Sequence, residues 1–316
     1  MRKFLFKAIF LLLLPFVVGG FFFQSFFDNK LKKSNLSNYK EWNDIFNSKI
    51  NADLIVLGSS RASQHISPYI LDSVLSLNSY NLGIDGYDFL MQYYRFKLYM
   101  KYNKKPRYIL QNIDRFTLFK RDQLIMLEQF IPYLNNDIIK EAVSKYDGFD
   151  RRDFYLPFLK YSHSPETRDM IFRSTFKDPS GNSTKYKGFK SENKKWDSTF
   201  LIMLSKNSRH GYRAEINKES QEKFEQYLDF CRKEHIQIIF VNPPEYYKAK
   251  KLLTNRDSIN LIFENYASAY KIPLLDYTSD SLCLDTMNFY NSTHLNTYGT
   301  NKFNIKLAND LKGIIK

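Results

Sequence analysis

Asp53-Leu54-Ile55-Val56-Leu57-Gly58-Ser59-Ser60-Arg61 (DLIVLGSSR) is the stretch that decides the architecture. A short apolar run that ends on a glycine reads as a strand buried on both faces. Strands of that kind belong to parallel sheets covered by helices. The serines that follow sit where the strand turns into a helix. A hydroxyl there projects into the crevice beside the unpaired N–H groups of the helix start.

The same rhythm continues along the chain. Ile66 to Leu77 reads as a helix, Ser79 to Leu82 as a second strand and Tyr87 to Tyr102 as a helix. Arg107 to Ile113 (RYILQNI) is a third strand, introduced by Pro106. Gln237 to Val241 (QIIFV), stopped by Pro243 and Pro244, is a fourth, and Ile272 to Leu275 (IPLL) a fifth. An amphipathic helix covers Glu219 to Glu234, and a last helix follows Asn296. Alternating strands and helices argue for an α/β fold, a parallel sheet with helices on both faces. The stretch from Asp114 to Lys218 breaks the rhythm and contains the turn-like DPSGNS at 178–183. It reads as an insertion over the sheet's active edge. The expected organisation is an anchor at 1–28, a linker and lead-in helix at 29–52, and an α/β domain at 53–316 with its insertion at about 114–218.

Composition narrows the class. Of 316 residues, 43% are hydrophobic and 25% charged, enough apolar surface for a packed core. Only 11 glycines argue against a fold of glycine-rich loops. The net charge of +14 arises from lysines spread along the chain, without any nucleic-acid-binding module. A basic surface facing anionic lipid or an anionic polymer fits better than a nucleic-acid partner. Cys231 and Cys283 form no CxxC motif, so no zinc ribbon or redox motif is expected. Cys231 reads as a buried thiol, and a disulfide between the two stays open. No metal or cofactor site is expected.

Ala8 to Phe27 carries no charge and follows Arg2, Lys3 and Lys7. About 20 apolar residues match a hydrocarbon core of ~30 Å, whereas a signal peptide's apolar region runs to ~15. The expectation is therefore an uncleaved, single-pass N-terminal membrane anchor with the rest of the chain extracytoplasmic. Pro15 can kink such a helix without forbidding it. No cysteine lies near this stretch, which excludes a lipoprotein anchor.

In α/β sheets ligands bind beyond the carboxyl ends of the strands, so the residues just after each strand carry the information. After the first strand stands Ser60; a helix-capping serine is the commoner meaning of such a turn. No G-x-x-x-x-G-K-[ST] phosphate loop is present. After the second strand come Asn81-Leu82-Gly83-Ile84-Asp85-Gly86, where glycine lets backbone approach a ligand or simply turns the chain. Near the C-terminus stands Asn291-Ser292-Thr293-His294-Leu295-Asn296. A neutral imidazole can take a serine proton when a partner fixes its tautomer, and Asn291 is placed to do so. The chain also carries His65, His163, His210 and His235, so a lone loop histidine decides little.

Together, LIVLGSSRAS, NLGIDG and NSTHLNTYG resemble the three blocks of the SGNH (GDSL-like) hydrolase superfamily, in that family's order. The resemblance frames residues 53 to about 310 and implies a three-layer flavodoxin-like sheet. It implies Ser60 as nucleophile and His294 as base, with Ser60 and Gly86 backbone N–H groups forming the oxyanion hole. Asn112 is the nearest candidate for the third donor, although a few residues early. Arg61 is a candidate for binding an anionic substrate group. Asn291 replaces the aspartate of the family's D-x-x-H, with Asp285 as an alternative partner for the imidazole. The implied function is a serine esterase or O-acyltransferase acting on acyl esters of envelope polysaccharide or wall polymer, working with an envelope acyltransferase partner. The rival is a weak or inactive glycan-binding protein that kept the fold.

Overall fold

Three of the five strands are apolar runs, and the structure buries them on both faces, leaving only Gln237 at the start of one of them exposed. The computed structural model describes residues 2–36, 39–163, 165–177, 183–197 and 211–315. It contains one parallel sheet of five strands: β1 (Leu54–Leu57), β2 (Ser79–Asn81), β3 (Tyr108–Asn112), β4 (Gln237–Asn242) and β5 (Leu274–Asp276). Their order is β2-β1-β3-β4-β5, which is the flavodoxin-like order. The register pairs Leu54 with both Ser79 and Tyr108, Tyr108 with Gln237, and Phe240 with Leu274.

Side chains alternate across the sheet as a period of two requires. Leu54, Val56, Leu110, Ile239 and Val241 pack on one face with Ala62, Leu71, Phe303 and Leu307. Those partners come from the helices Ser60–His65, Pro68–Leu75 and Thr297–Lys312. Across the other face, Phe240 meets Phe224 of Lys218–Lys233 at 5.8 Å and Phe263 of Arg256–Tyr270 at 6.4 Å. Phe89, at the start of the helix Phe89–Tyr102, meets Phe224 at 4.6 Å. The result is a three-layer α/β sandwich. Arg256–Tyr270 escapes the sequence reading because only Ile259 and Phe263 on it are buried.

Gly58 closes β1 in a way another residue could not. Its φ is +151°, and a Cβ there would lie 2.5 Å from Asn112 Cβ and 2.7 Å from Ala62 Cβ. Its carbonyl accepts the Ile84 N–H at 2.9 Å, tying the end of β1 to the segment after β2. Both cysteines are buried and free, so no disulfide joins them.

The chain clusters into two units: Met1–Asn43 with Asp122–Ser183, and Asp44–Arg121 with Thr184–Lys316. The sheet lies in the second. The stretch at 114–218 is thus divided between the units. Of DPSGNS, 178–182 lie outside the described residues, as does position 210.

The first unit holds the helix Arg2–Leu31, which contains the whole uncharged stretch. Its last turns are built into a protein core. Asp28 is ion-paired with Lys160 at 2.6 Å and accepts from Tyr161 Oη at 2.7 Å, and Gln24 accepts from the Phe158 N–H at 2.8 Å. Leu31 is buried with Tyr39, Ile131, Tyr161 and Ile171. Among the described residues no helix is long and apolar enough to cross a membrane, so the span expected at Ala8–Phe27 is not found among them.

Candidate active site

Ser60 is the first residue of a six-residue helix whose N-cap, Ser59, accepts the Arg61 N–H at 3.4 Å. Asn81 holds that helix in place: its amide donates to the carbonyls of Ala62 at 2.8 Å and Ile66 at 2.7 Å, and its oxygen accepts the Gly83 N–H at 2.9 Å. His294 arrives from the loop before Thr297–Lys312, where Tyr290 N–H donates to the His294 carbonyl at 3.0 Å. Its Nε2 lies 2.8 Å from Ser60 Oγ.

The imidazole's tautomer follows from its other neighbour. Asn291 Oδ1 accepts the backbone N–H groups of Thr293 at 3.0 Å and His294 at 2.9 Å, which identifies that atom as the amide oxygen. The same oxygen is 3.0 Å from His294 Nδ1. An acceptor there requires the proton on Nδ1, which leaves Nε2 as a lone pair facing the serine hydroxyl. Tyr290 stacks on the imidazole, with ring centroids 5.4 Å apart and planes 16° apart, and its hydroxyl donates to Gln64 Oε1 at 2.7 Å.

Burial, reinforced by Arg61 and opposed by Asp85 and Asp114, pushes the His294 pKa down to about 4. The ring is therefore neutral at ordinary pH, the state a proton acceptor needs. A second histidine stands behind it. His65 is fully buried, its ring edge-on to His294 at 5.7 Å, and its Nε2 accepts the Leu295 N–H at 3.1 Å. Burial, and then the neighbouring His294 and Arg61, hold His65 well below its usual pKa.

A cavity of about 160 Å³ opens beside the serine, lined by Ser60, Gly86, Tyr87, Phe116, Phe119 and Arg121 among others. Gly86 has φ +78°, a conformation that favours glycine. Neither the Ser60 nor the Gly86 backbone N–H has an acceptor among the described residues.

Three sequence expectations are placed elsewhere. Asn112 is 1% exposed, and its amide donates to the carbonyls of Ile113 at 3.2 Å and Val241 at 3.4 Å, so its donors are spent within the sheet. Arg61 is 3% exposed and absent from the cavity lining. Its guanidinium donates to the Pro243 carbonyl and to Pro244 at 3.3 Å, with Asp114 at 3.8 Å. It fixes the turn after β4. Asp285 caps the turn Thr286–Asn288 through the Met287 N–H at 2.9 Å.

Sequence reasoning missed Tyr290, His65, Gln64 and Arg121. His65 and Tyr290 carried a signal, since each is within five residues of a proposed reacting group; Arg121 carried none, because only the fold brings it to Ser60.

No family model matches the chain, and no curated protein matches it. Solved structures similar to it include a protein from Streptococcus pneumonia provisionally described as a platelet activating factor. That likeness is 12% in identity at a TM-score of 0.43, covering 96% of this chain and 99% of that one. Another is a protein from Bacteroides fragilis provisionally described as an acylhydrolase, 12% identical at a TM-score of 0.37, covering 81% and 86%.

The two histidines generate an acid-lability prediction. An unfolded histidine titrates near ~6.5, so the unfolded chain binds more protons than the folded one below that pH. Their contribution is fully present above pH ~6.5 and is lost as the pH falls towards the folded value, about 4 for His294. Between pH 7.5 and 5, His294 alone is expected to cost about 2 kcal/mol. Urea denaturation of wild type and of His65→Gln/His294→Gln at both values measures this. Equal losses in the two proteins would refute it.

Proposed function

We propose that the protein is a serine-dependent ester hydrolase or O-acyltransferase acting on acyl esters of cell-envelope polysaccharide. The observation that carries this is the 2.8 Å contact between Ser60 Oγ and the unprotonated nitrogen of His294. Ser60 attacks the ester carbonyl while Nε2 takes its proton. The Ser60 and Gly86 N–H groups receive the negative charge that forms on the carbonyl oxygen. The tetrahedral species then collapses, the C–O bond to the alcohol breaks, and His294 returns its proton to the departing oxygen. Water, or a sugar hydroxyl, attacks the acyl-enzyme by the same route in reverse. Hydrolysis and transfer differ only in that acceptor. An envelope acyltransferase partner would supply or take the acyl group.

The location is part of the same proposal. Phe4, Val18, Phe22 and Phe23 on the N-terminal helix are 75%, 60%, 71% and 57% exposed. Such side chains suit attachment to a lipid surface, with the sheet-bearing unit outside the cytoplasm. The net charge of +14 fits an anionic envelope. Expression with and without residues 2–27 and fractionation of the cells tests this. Recovery of the intact chain wholly in the soluble fraction would exclude attachment.

A non-catalytic glycan binder is the reading that Asn291 favours, because an amide supplies no negative charge to an imidazolium. A fluorophosphonate probe and 4-nitrophenyl acetate separate the two. Wild type is expected to be labelled, and Ser60→Ala and His294→Ala to lose about 10³-fold or more in kcat/KM, the scale for members of such a pair. Full activity in both variants would remove these residues from the mechanism, whereas absent labelling with intact glycan binding would favour the binder.

Asn291→Asp tests the departure itself. A carboxylate beside Nδ1 stabilises the imidazolium that forms in the transition state, and about 1.4 kcal/mol of such stabilisation would raise kcat about tenfold. An unchanged or lower kcat in a folded variant would show that the amide already provides all the orientation the ring requires.

A further inference from the structure

The cavity beside Ser60 has a polar end that the acyl-transfer scheme does not use. Three guanidinium groups gather near the strand ends, and all three are committed. Arg61 is held by the Pro243 and Pro244 carbonyls and lies 3.8 Å from Asp114. Arg115 lies 3.7 Å from Glu245 and over the Phe116 ring at 4.7 Å, and Arg256 contacts the other Glu245 oxygen. Arg121 lines the cavity, and its guanidinium has no ion pair among the described residues.

The carboxylates nearby are occupied. Asp88, which also lines the cavity, is 3% exposed; it caps the helix Phe89–Tyr102 through the Met91 N–H at 3.5 Å and accepts the Arg121 backbone N–H at 3.2 Å. Asp85 is held by Ser63 and by Gln64, the latter at 3.3 Å. The space between Arg121 and Ser60 is walled by Phe116 and Phe119, which meet edge-to-face at 6.4 Å. At about 160 Å³ it is well below the ~300–1,000 Å³ typical of drug-sized ligand sites, so it takes one acyl- or sugar-sized group.

We infer that Arg121 is the anion-binding end of this subsite and selects esters that carry a negatively charged group, a carboxylate or a phosphate, within one sugar-sized unit of the scissile bond. The inference rests on the acyl-transfer reading for its orientation: the carbonyl sits at Ser60, and the rings flank the apolar part. A guanidinium receives either anion through two parallel N–H bonds, and the low polarity of the two phenyl walls strengthens the contact.

The test measures binding to the Ser60→Ala protein, which keeps intact esters from being turned over. Phenyl acetate, 4-acetoxybenzoate and 4-acetoxyphenyl phosphate are titrated by NMR. At least one anionic ester is expected to bind tenfold or more tightly than phenyl acetate. Tighter binding of the benzoate points to an acidic sugar and of the phosphate to a phosphodiester polymer. Adding Arg121→Gln should abolish the preference, and Arg121→Lys should retain part of it, which separates loss of charge from loss of fold. Equal affinities for all three esters, or a preference that survives Arg121→Gln, would overturn the inference. Because no turnover is needed, a preference that holds while Ser60-dependent turnover of the wild type is absent would defeat the acyl-transfer reading alone.

Discussion

A single contact, Ser60 Oγ to His294 Nε2, joins residues 234 positions apart, and most of the second unit's polar architecture serves to hold its two ends still. Neither end is secured by local sequence. The helix bearing Ser60 has six residues, too short to be stable by its own hydrogen bonds. It stays because Asn81 takes two of its carbonyls, and because Asn304 takes a third. Asn304 Nδ2 donates to the His65 carbonyl at 2.6 Å, and its Oδ1 accepts the Ser67 N–H at 2.7 Å. Both asparagines are fully buried, so each bond it makes also avoids leaving an amide unpaired in the core. The serine helix is thereby fixed to β2 on one side and to the last helix on the other. His65 completes the arrangement, since the helix that begins with the serine ends with a ring that accepts the N–H next to the base.

Below this lies a layer of charge. Arg61, Asp114, Arg115 and Glu245 are all nearly inaccessible to water, an arrangement tolerated only when the charges are paired. Its effect is geometric. Arg61 ties the turn after β4 to the serine helix, and Ser59 Oγ donates to Asp114 at 3.1 Å. The side chains of Ser59 and Arg61 are therefore engaged in structure, and that of Ser60 is left facing His294.

The sheet was legible because its signal is local. DLIVLG, RYILQNI and QIIFV are apolar runs bounded by Gly or Pro, and they became β1, β3 and β4 within a residue or two. That Ser60 and His294 would meet, with Gly86 beside the same cavity, was legible because a parallel sheet collects strand ends at one edge. Asn112 and Arg61 were misjudged for one reason: sequence places a residue at an edge but not which way its side chain turns. Asn112 closes the last hydrogen bonds of its strand, and Arg61 points back to Pro243. The division of 114–218 between two units was not legible, because aromatic and basic residues carry no period that marks where one core stops. The part of the N-terminal helix that joins a protein core was not legible either. Asp28 and Gln24, at the end of that helix, are core partners of Lys160 and of the Phe158 N–H, contacts that only the fold reveals.

The replacement of a carboxylate by Asn291 is best understood together with the burial of the ring. An imidazole oriented by an amide and pushed down to about 4 is a weak base but a ready acid. In the proposed reaction, taking the serine proton is made harder, and giving it to a departing oxygen is made easier. A carboxylate partner would shift the balance the other way, and the positive charges of Arg61 and Arg115 already oppose an imidazolium at this position. Asn291 thus supplies the ring's orientation but not a charge to stabilise its protonated form.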